Sequence, residues 1–132
     1  MFEGIINGLF HALEGWNLLL IIFGTFLGIV FGSMPGLTAT MGLALLVPFT
    51  FGMEPAAGLI MLAGIYVGAM YADAIPAILI NTPGTPAAIA TTFDGFPLAQ
   101  KGKAQQALVT AAFASFIGSV IANIVLATLA EP

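Results

Sequence analysis

Two short breaks interrupt an otherwise apolar sequence, and in each a threonine follows Pro-Gly within two positions. The first reads PGLTATMGLA at residues 35–44, and the second reads PGTPAAIATT at residues 83–92. Because proline and glycine break helices, each break is predicted to expose helix-terminal N–H groups and carbonyl oxygens. Their partial charges can hold a carboxylate or a cation without a charged side chain. Paired interruptions of this kind are typical of transporter binding sites.

The candidate contact residues lie in these breaks and beside them. Their hydroxyl and amide groups can bind either an anion or a cation, and their glycines permit close approach of the backbone. The alternatives are that the threonines and the asparagine cap helices, and that the breaks are kinks which only shape packing. The candidate substrate- or ion-binding residues are Pro35, Gly36, Thr38, Thr40, Asp73, Asn81, Thr82, Pro83, Gly84 and Thr85.

Asp73 is the one charged residue between Pro55 and Phe93. A carboxylate inside a membrane is a functional candidate, because placing it there costs free energy. In that position it would bind Na⁺ or carry a proton. The alternative is that Asp73 lies at the membrane surface and ends the third span.

The composition excludes most soluble classes of protein. Of the 132 residues, 60% are apolar and 6% are charged, and the mean hydropathy is +1.11. Soluble domains carry about 25% charged residues, so the chain is predicted to be an integral membrane protein. Its two lysines cannot neutralise a phosphate backbone, which excludes nucleic-acid binding. The absence of cysteine excludes disulfides and thiolate metal sites.

The apolar pattern predicts an all-α integral membrane fold, a multi-span helical bundle with proline- and glycine-broken or re-entrant helices. Residues 1–16 place apolar and polar side chains on opposite helix faces, which predicts an interfacial amphipathic helix. A frayed, partly buried terminus is the alternative for this segment. Residues 17–132 are predicted to form a transmembrane permease domain in the lipid bilayer.

Five apolar segments in this domain are candidate helices. Small residues four apart line one face of the first, third and fifth, which permits close helix packing in lipid. The fourth carries three prolines and is predicted to form two half-helices that meet at residues 81–86, or a re-entrant hairpin with its tip there. The segments are residues 17–31, 39–53, 56–72, 74–93 and 104–130.

Residues 94–103, DGFPLAQKGK, hold both lysines and are predicted to form a polar turn that starts at Asp94-Gly95. Since lysine favours the cytoplasmic side, the turn is expected to face the cytoplasm. If residues 74–93 are re-entrant, three spans precede the turn and the N terminus lies outside. If they cross as two half-helices, four spans precede it and the N terminus lies inside.

Four sequence blocks carry a resemblance to a known family. Through these blocks the chain resembles the tripartite tricarboxylate transporter family, in particular the N-terminal part of its large, TctA-type membrane subunit. The resemblance runs from about Gly24 to Leu108, and NTPGTP with DGFP behind it is the most specific part. The blocks are GSMPGLTATMG (residues 32–42), PFTFGM (residues 48–53), ILINTPGTPAA (residues 78–88) and DGFP (residues 94–97).

The resemblance implies a multi-pass permease subunit of a secondary transporter in the cell inner membrane, driven by a gradient of Na⁺ or H⁺. The implied partners are a small membrane subunit, a periplasmic substrate-binding protein and a carboxylate substrate, citrate-like or other. It implies no enzymatic activity and no cofactor beyond the coupling ion. The family's subunit is several times longer, so this chain is expected to be an N-terminal fragment with half of a repeat architecture.

One position departs from the family pattern. The family usually has Tyr-Gly-Gly-Ser before the isoleucine that precedes the NTPG block, whereas here Tyr71 is followed by Ala72, Asp73 and Ala74. A carboxylate beside an anion site repels the substrate unless it is paired, protonated or bound to a cation. This position therefore leaves the identity of the substrate open.

Two other functions are alternatives to carboxylate transport. A non-transporting membrane assembly or scaffold protein would explain the small-residue faces but would give the uncharged PGTP block no purpose. An intramembrane enzyme would use Asp73 and Asp94 as an aspartyl pair. Neither lies in a clean helical segment, and no nucleophile or metal motif accompanies them, so the sequence favours transport over an enzyme.

Overall fold

The computed structural model describes residues 2–129, and every regular element in that part of the chain is helical. Three stretches are long and apolar enough to cross a membrane, namely Gly15–Gly32, Pro55–Ile80 and Pro86–Leu129. The predicted all-α membrane bundle is therefore confirmed. The elements are α1 (Phe2–Ala12), α2 (Gly15–Gly32), α3 (Ala39–Thr50), α4 (Pro55–Ala72), α5 (Ala74–Ile80), α6 (Pro86–Leu98) and α7 (Ala104–Leu129), with a π-helical turn at Ala99–Lys103.

Helices α2 and α4 pack backbone against backbone. A Cβ atom added at Gly24 of α2 would lie 2.5 Å from the carbonyl oxygen of Met61, and one added at Gly64 of α4 would lie 2.9 Å from that of Ile21. Only glycine leaves room for such an approach. Lipid supplies no hydrophobic drive for helix association, so this close van der Waals contact holds the pair together.

The register of this contact makes α2 and α4 parallel. Gly24 lies against Met61, and Gly32, farther along α2, lies against Ala69, which is correspondingly farther along α4. Helix α3 and its flanking loops therefore return the chain from the end of α2 to the start of α4. The C-terminal ends of α2 and α4 consequently lie at the same end of the bundle.

A small apolar core fills the space beside this contact. Leu20, Met61 and Ile65 are buried in it, and Leu43 and Leu46 of α3 pack partly buried against them. Most of the other large apolar side chains are exposed, above all along α7. Lipid would cover these side chains in a bilayer, so the exposed apolar surface is the one that a membrane-spanning bundle needs.

Helix α1 extends away from the core and is tied to α2 by one side chain. The Asn17 amide donates to the carbonyl oxygen of His11 at 2.7 Å, and His11 pairs with Glu14 at 3.2 Å. Leu9 and Phe10 are exposed, as an interfacial helix requires. The interfacial location of residues 1–16 remains a prediction, and Met1 lies outside the described residues.

Residues 74–93 are broken as the sequence predicts. Helix α5 ends at Ile80, the following Asn81 has a left-handed backbone (φ 55°), and α6 begins at Pro86. The five residues between them run back along α5, because Gly84 bonds to Asp73 at the start of that helix. The returning segment covers about the length of α5, which is about 10 Å at the usual rise of an α-helix.

Helices α5 and α6 advance in the same general direction and overlap side by side. Helix α6 starts near Asp73, and Gly95 in its third turn contacts Ile78, which is farther along α5. A re-entrant hairpin would instead carry Gly95 away from Ile78. The directions of α5 and α6 therefore match two half-helices, and the number of membrane crossings remains a prediction.

The turn after α6 begins later than predicted. Asp94 and Gly95 lie inside α6 and do not form an Asp-Gly turn. Gly95 serves helix contact instead, since an added Cβ would lie 2.7 Å from Cγ1 of Ile78. The chain turns at Gly102, whose φ is 77°. Helix α7 follows with the predicted start, and Ala130, the predicted end, lies outside the described residues.

We expect Gly28→Ala to destabilise the protein strongly, because the added Cβ would overlap the carbonyl oxygen of Ile65. Overpacking of this kind costs about 1–3 kcal/mol. Gly118→Ala is the matched control, since a Cβ on this α7 glycine meets nothing within 4 Å. Thermal unfolding of the purified protein in detergent measures both. Equal melting temperatures for the two variants would contradict the α2–α4 packing.

Candidate functional site

The two breaks meet at the C-terminal end of the α2–α4 pair. A Cβ atom on Gly84, in the second break, would lie 3.5 Å from the carbonyl oxygen of Leu37, in the first break. Asp73, the residue that follows α4, contacts the same glycine. The parallel register explains this meeting, because it brings the ends of α2 and α4 to one place.

The second break holds the carboxylate of Asp73. The backbone N–H of Gly84 donates to Oδ1 at 2.7 Å, and the hydroxyl of Thr85 donates to Oδ2. The side chain is only 4% exposed. Asp73 therefore lies inside the protein, and its depth in the membrane remains a prediction.

Thr38 and Thr85 occupy equivalent places in the two breaks. Each follows Pro-Gly, has an extended backbone and immediately precedes a helix. The Thr38 hydroxyl caps α3 by accepting from the N–H of Met41 at 3.3 Å, which is the alternative role noted for it. The Thr85 hydroxyl donates to Asp73 instead. The second break thus uses its cap residue to bind a carboxylate.

The glycines of the two breaks serve different needs. Gly36 has a φ of 88°, a conformation that glycine adopts without strain. At Gly84 the need is space, since a Cβ atom there would lie 2.6 Å from Oδ1 of Asp73. Both structural roles were predicted from the sequence, namely an unusual backbone conformation and a close approach.

The remaining predicted site residues lie elsewhere in the two breaks or, for Thr40, in the first turn of α3. Among the hydrogen bonds of residues 2–129, none joins their side chains to Asp73, and the Thr82 hydroxyl donates to the carbonyl oxygen of Ile80 at 3.0 Å. Their role in binding stays a prediction. Pro35, Thr40, Asn81 and Thr82 are exposed, and Pro83 is half-buried.

Hydrogen-bond donors without formal charge hold the Asp73 carboxylate. Within residues 2–129 the one ion pair is His11–Glu14, far along the chain in α1 and its turn, and no group of three metal-ligating side chains occurs. The N-terminal end of α6 adds a partial positive charge beside the two donors. This arrangement can therefore bind a carboxylate in the absence of arginine.

Sequence reasoning missed Leu37. Its carbonyl oxygen faces the second break, but a backbone group gives no side-chain signal. Its position between Gly36 and Thr38 was the only indication available, because the carbonyls of a helix break are the groups left without helical partners.

Residues 18–132 match the family model described as Tripartite tricarboxylate transporter TctA family. A relative from Agrobacterium vitis, named "Uncharacterized 52.8 kDa protein in TAR-I ttuC' 3'region", is 44% identical over 121 residues. The alignment covers 92% of this chain and 24% of the relative, so the chain spans about a quarter of that protein's length. No solved structure matches the chain.

We expect Thr85→Val to destabilise the protein by about 1–3 kcal/mol, because the buried Asp73 carboxylate loses a hydrogen-bond donor. Thr92→Val is the matched control in the same helix. Its hydroxyl donates only to the carbonyl oxygen of Ile89 and is exposed, so its effect should stay within about 0.5 kcal/mol. Chemical unfolding in detergent gives both values. Equal stability of the two variants would show that the Thr85 bond contributes nothing.

Proposed function

The chain belongs to the tripartite tricarboxylate transporter TctA family, and from this premise we propose that it forms part of a carboxylate-conducting permease. Membership of the family and the apolar helices make it a multi-pass membrane protein of a transporter. The proposal adds the substrate class, the driving ion, the partners and the cell inner membrane as its location.

One observation carries the proposal. The second break holds a carboxylate with a backbone N–H and a threonine hydroxyl, and the first break lies against it. A substrate carboxylate is chemically the same group as the side chain bound there. Broken helices that offer such donors suit anionic substrates, because the donors act without bringing a fixed positive charge.

The proposed substrate is a tricarboxylate such as citrate, or another carboxylate. We propose that the exposed side chains of Asn81 and Thr82, in the second break, also contact it. Thr40 and the Pro35-Gly36 turn would contact it from the first break. Backbone donors recognise the carboxylate group and carry little code for the rest of the molecule, which fits a family with varied carboxylate substrates.

The proposed transport is secondary and is driven by a gradient of Na⁺ or H⁺. A periplasmic substrate-binding protein would deliver the substrate, and a small membrane subunit would complete the complex. Since the chain spans about a quarter of the curated relative, the remaining length of a full permease would contribute further site residues. Functional experiments therefore use the complete coding frame together with its partner subunits.

We expect Asn81→Ala and Thr82→Val each to lower citrate uptake by about tenfold or more, because each removes a hydrogen bond to a charged substrate worth about 1.5–3 kcal/mol. Uptake of labelled citrate by cells that express the complete transporter measures this loss. Membrane fractionation verifies that the variants insert, and Thr92→Val is the control that should transport normally.

Normal uptake by both inserted variants would overturn the assignment of these residues to the site. A wild-type transporter that takes up no carboxylate, under either a Na⁺ or an H⁺ gradient, would overturn the proposed function and favour the scaffold alternative.

A further inference from the structure

We propose that Asp73 is a specificity-determining residue, a built-in carboxylate that occupies donors which a substrate carboxylate would otherwise use. The inference rests on the proposed function and deepens it, since it states which class of carboxylate the site accepts. With Asp73 present, the site is expected to favour dicarboxylates over tricarboxylates. Without Asp73, the same site would accept one more substrate carboxylate.

The first argument is the occupancy of the donors. Both carboxylate oxygens of Asp73 accept hydrogen bonds from the second break, one from the Gly84 N–H at 2.7 Å and one from the Thr85 hydroxyl. The Gly84 N–H and the Thr85 hydroxyl each have a single hydrogen, so a second carboxylate finds these two donors already taken.

The second argument is charge. Asp73 is 4% exposed, and the ion pairs within residues 2–129 do not include it. Both lysines, Lys101 and Lys103, are exposed in the turn after α6. The carbonyl oxygen of Leu37 adds further negative potential at the meeting point. A second carboxylate beside Asp73 would therefore be repelled in a poorly hydrated place.

The third argument is location. Asp73 follows α4 directly and accepts hydrogen bonds from Gly84 and Thr85, which are two of the predicted site residues, and Leu37 of the first break lies close to Gly84. A substrate held by these breaks would therefore lie beside the Asp73 carboxylate.

The test compares two variants that separate charge from hydrogen bonding. Asp73→Asn keeps an Oδ1 acceptor for the Gly84 N–H and removes the charge. Asp73→Ser removes the carboxylate and leaves both donors free. Asp94→Asn is the control, because it neutralises an exposed carboxylate in the neighbouring α6.

The measurement is equilibrium binding of labelled citrate and labelled succinate to the membrane protein from the complete coding frame, purified in detergent. We expect the wild type and Asp94→Asn to prefer succinate. We expect Asp73→Ser to shift the ratio of the two dissociation constants toward citrate by about tenfold or more, and Asp73→Asn to shift it in the same direction by less.

An unchanged ratio in both Asp73 variants, with binding intact, would overturn the inference and leave the proposed function standing. A loss of Na⁺ or H⁺ dependence at an unchanged ratio would assign Asp73 to the coupling ion and would equally overturn it. Unfolding of both variants would assign Asp73 a purely structural role. If no protein binds either ligand, including the wild type, the proposed function itself fails.

Discussion

The close contact between α2 and α4 is the constraint on which the rest of the structure depends. Glycines on both helices bring the backbones together, and the register of those glycines makes the helices parallel. Two consequences follow. Helix α3 must carry the chain back, and the breaks that follow α2 and α4 must lie at the same end. The site at their meeting point therefore depends on the glycine spacing along α2 and α4.

The polar contacts at that end differ in kind from the glycine contact. Backbone packing through glycine has one geometry, and a single added methyl group overlaps the facing backbone and destabilises it. The bonds of Gly84 and Thr85 to Asp73 can be made to any group with carboxylate oxygens. The glycine contacts fix the relative positions of the helices. The hydrogen bonds at the breaks can exchange one carboxylate for another without moving those helices.

The sequence predicted those features that side-chain pattern encodes. The small-residue spacing of α2 and α4 predicted that each would pack closely against another helix, and Pro83-Gly84 predicted the break between α5 and α6. The sequence pattern was misleading for glycine, because glycine serves both in turns and in close helix contacts. Gly95 follows an aspartate as a turn glycine does, yet it permits contact with Ile78, and the turn falls at Gly102. Tertiary packing determines which of these roles Gly95 has, and the neighbouring sequence carries no signal of that packing.

The partners of Asp73 were beyond prediction for a related physical reason. The sequence showed a lone carboxylate and a separate Pro-Gly-Thr break, but not that residues 81–85 run back along α5 to join them. The backbone N–H and carbonyl groups involved look the same at every position of a chain. A helix break indicates that such groups lack helical partners, whereas the packing of the neighbouring helices determines which charged group they contact. In this chain that charged group is the side chain of Asp73. The residue after α4 is therefore as much a part of the site as the break itself.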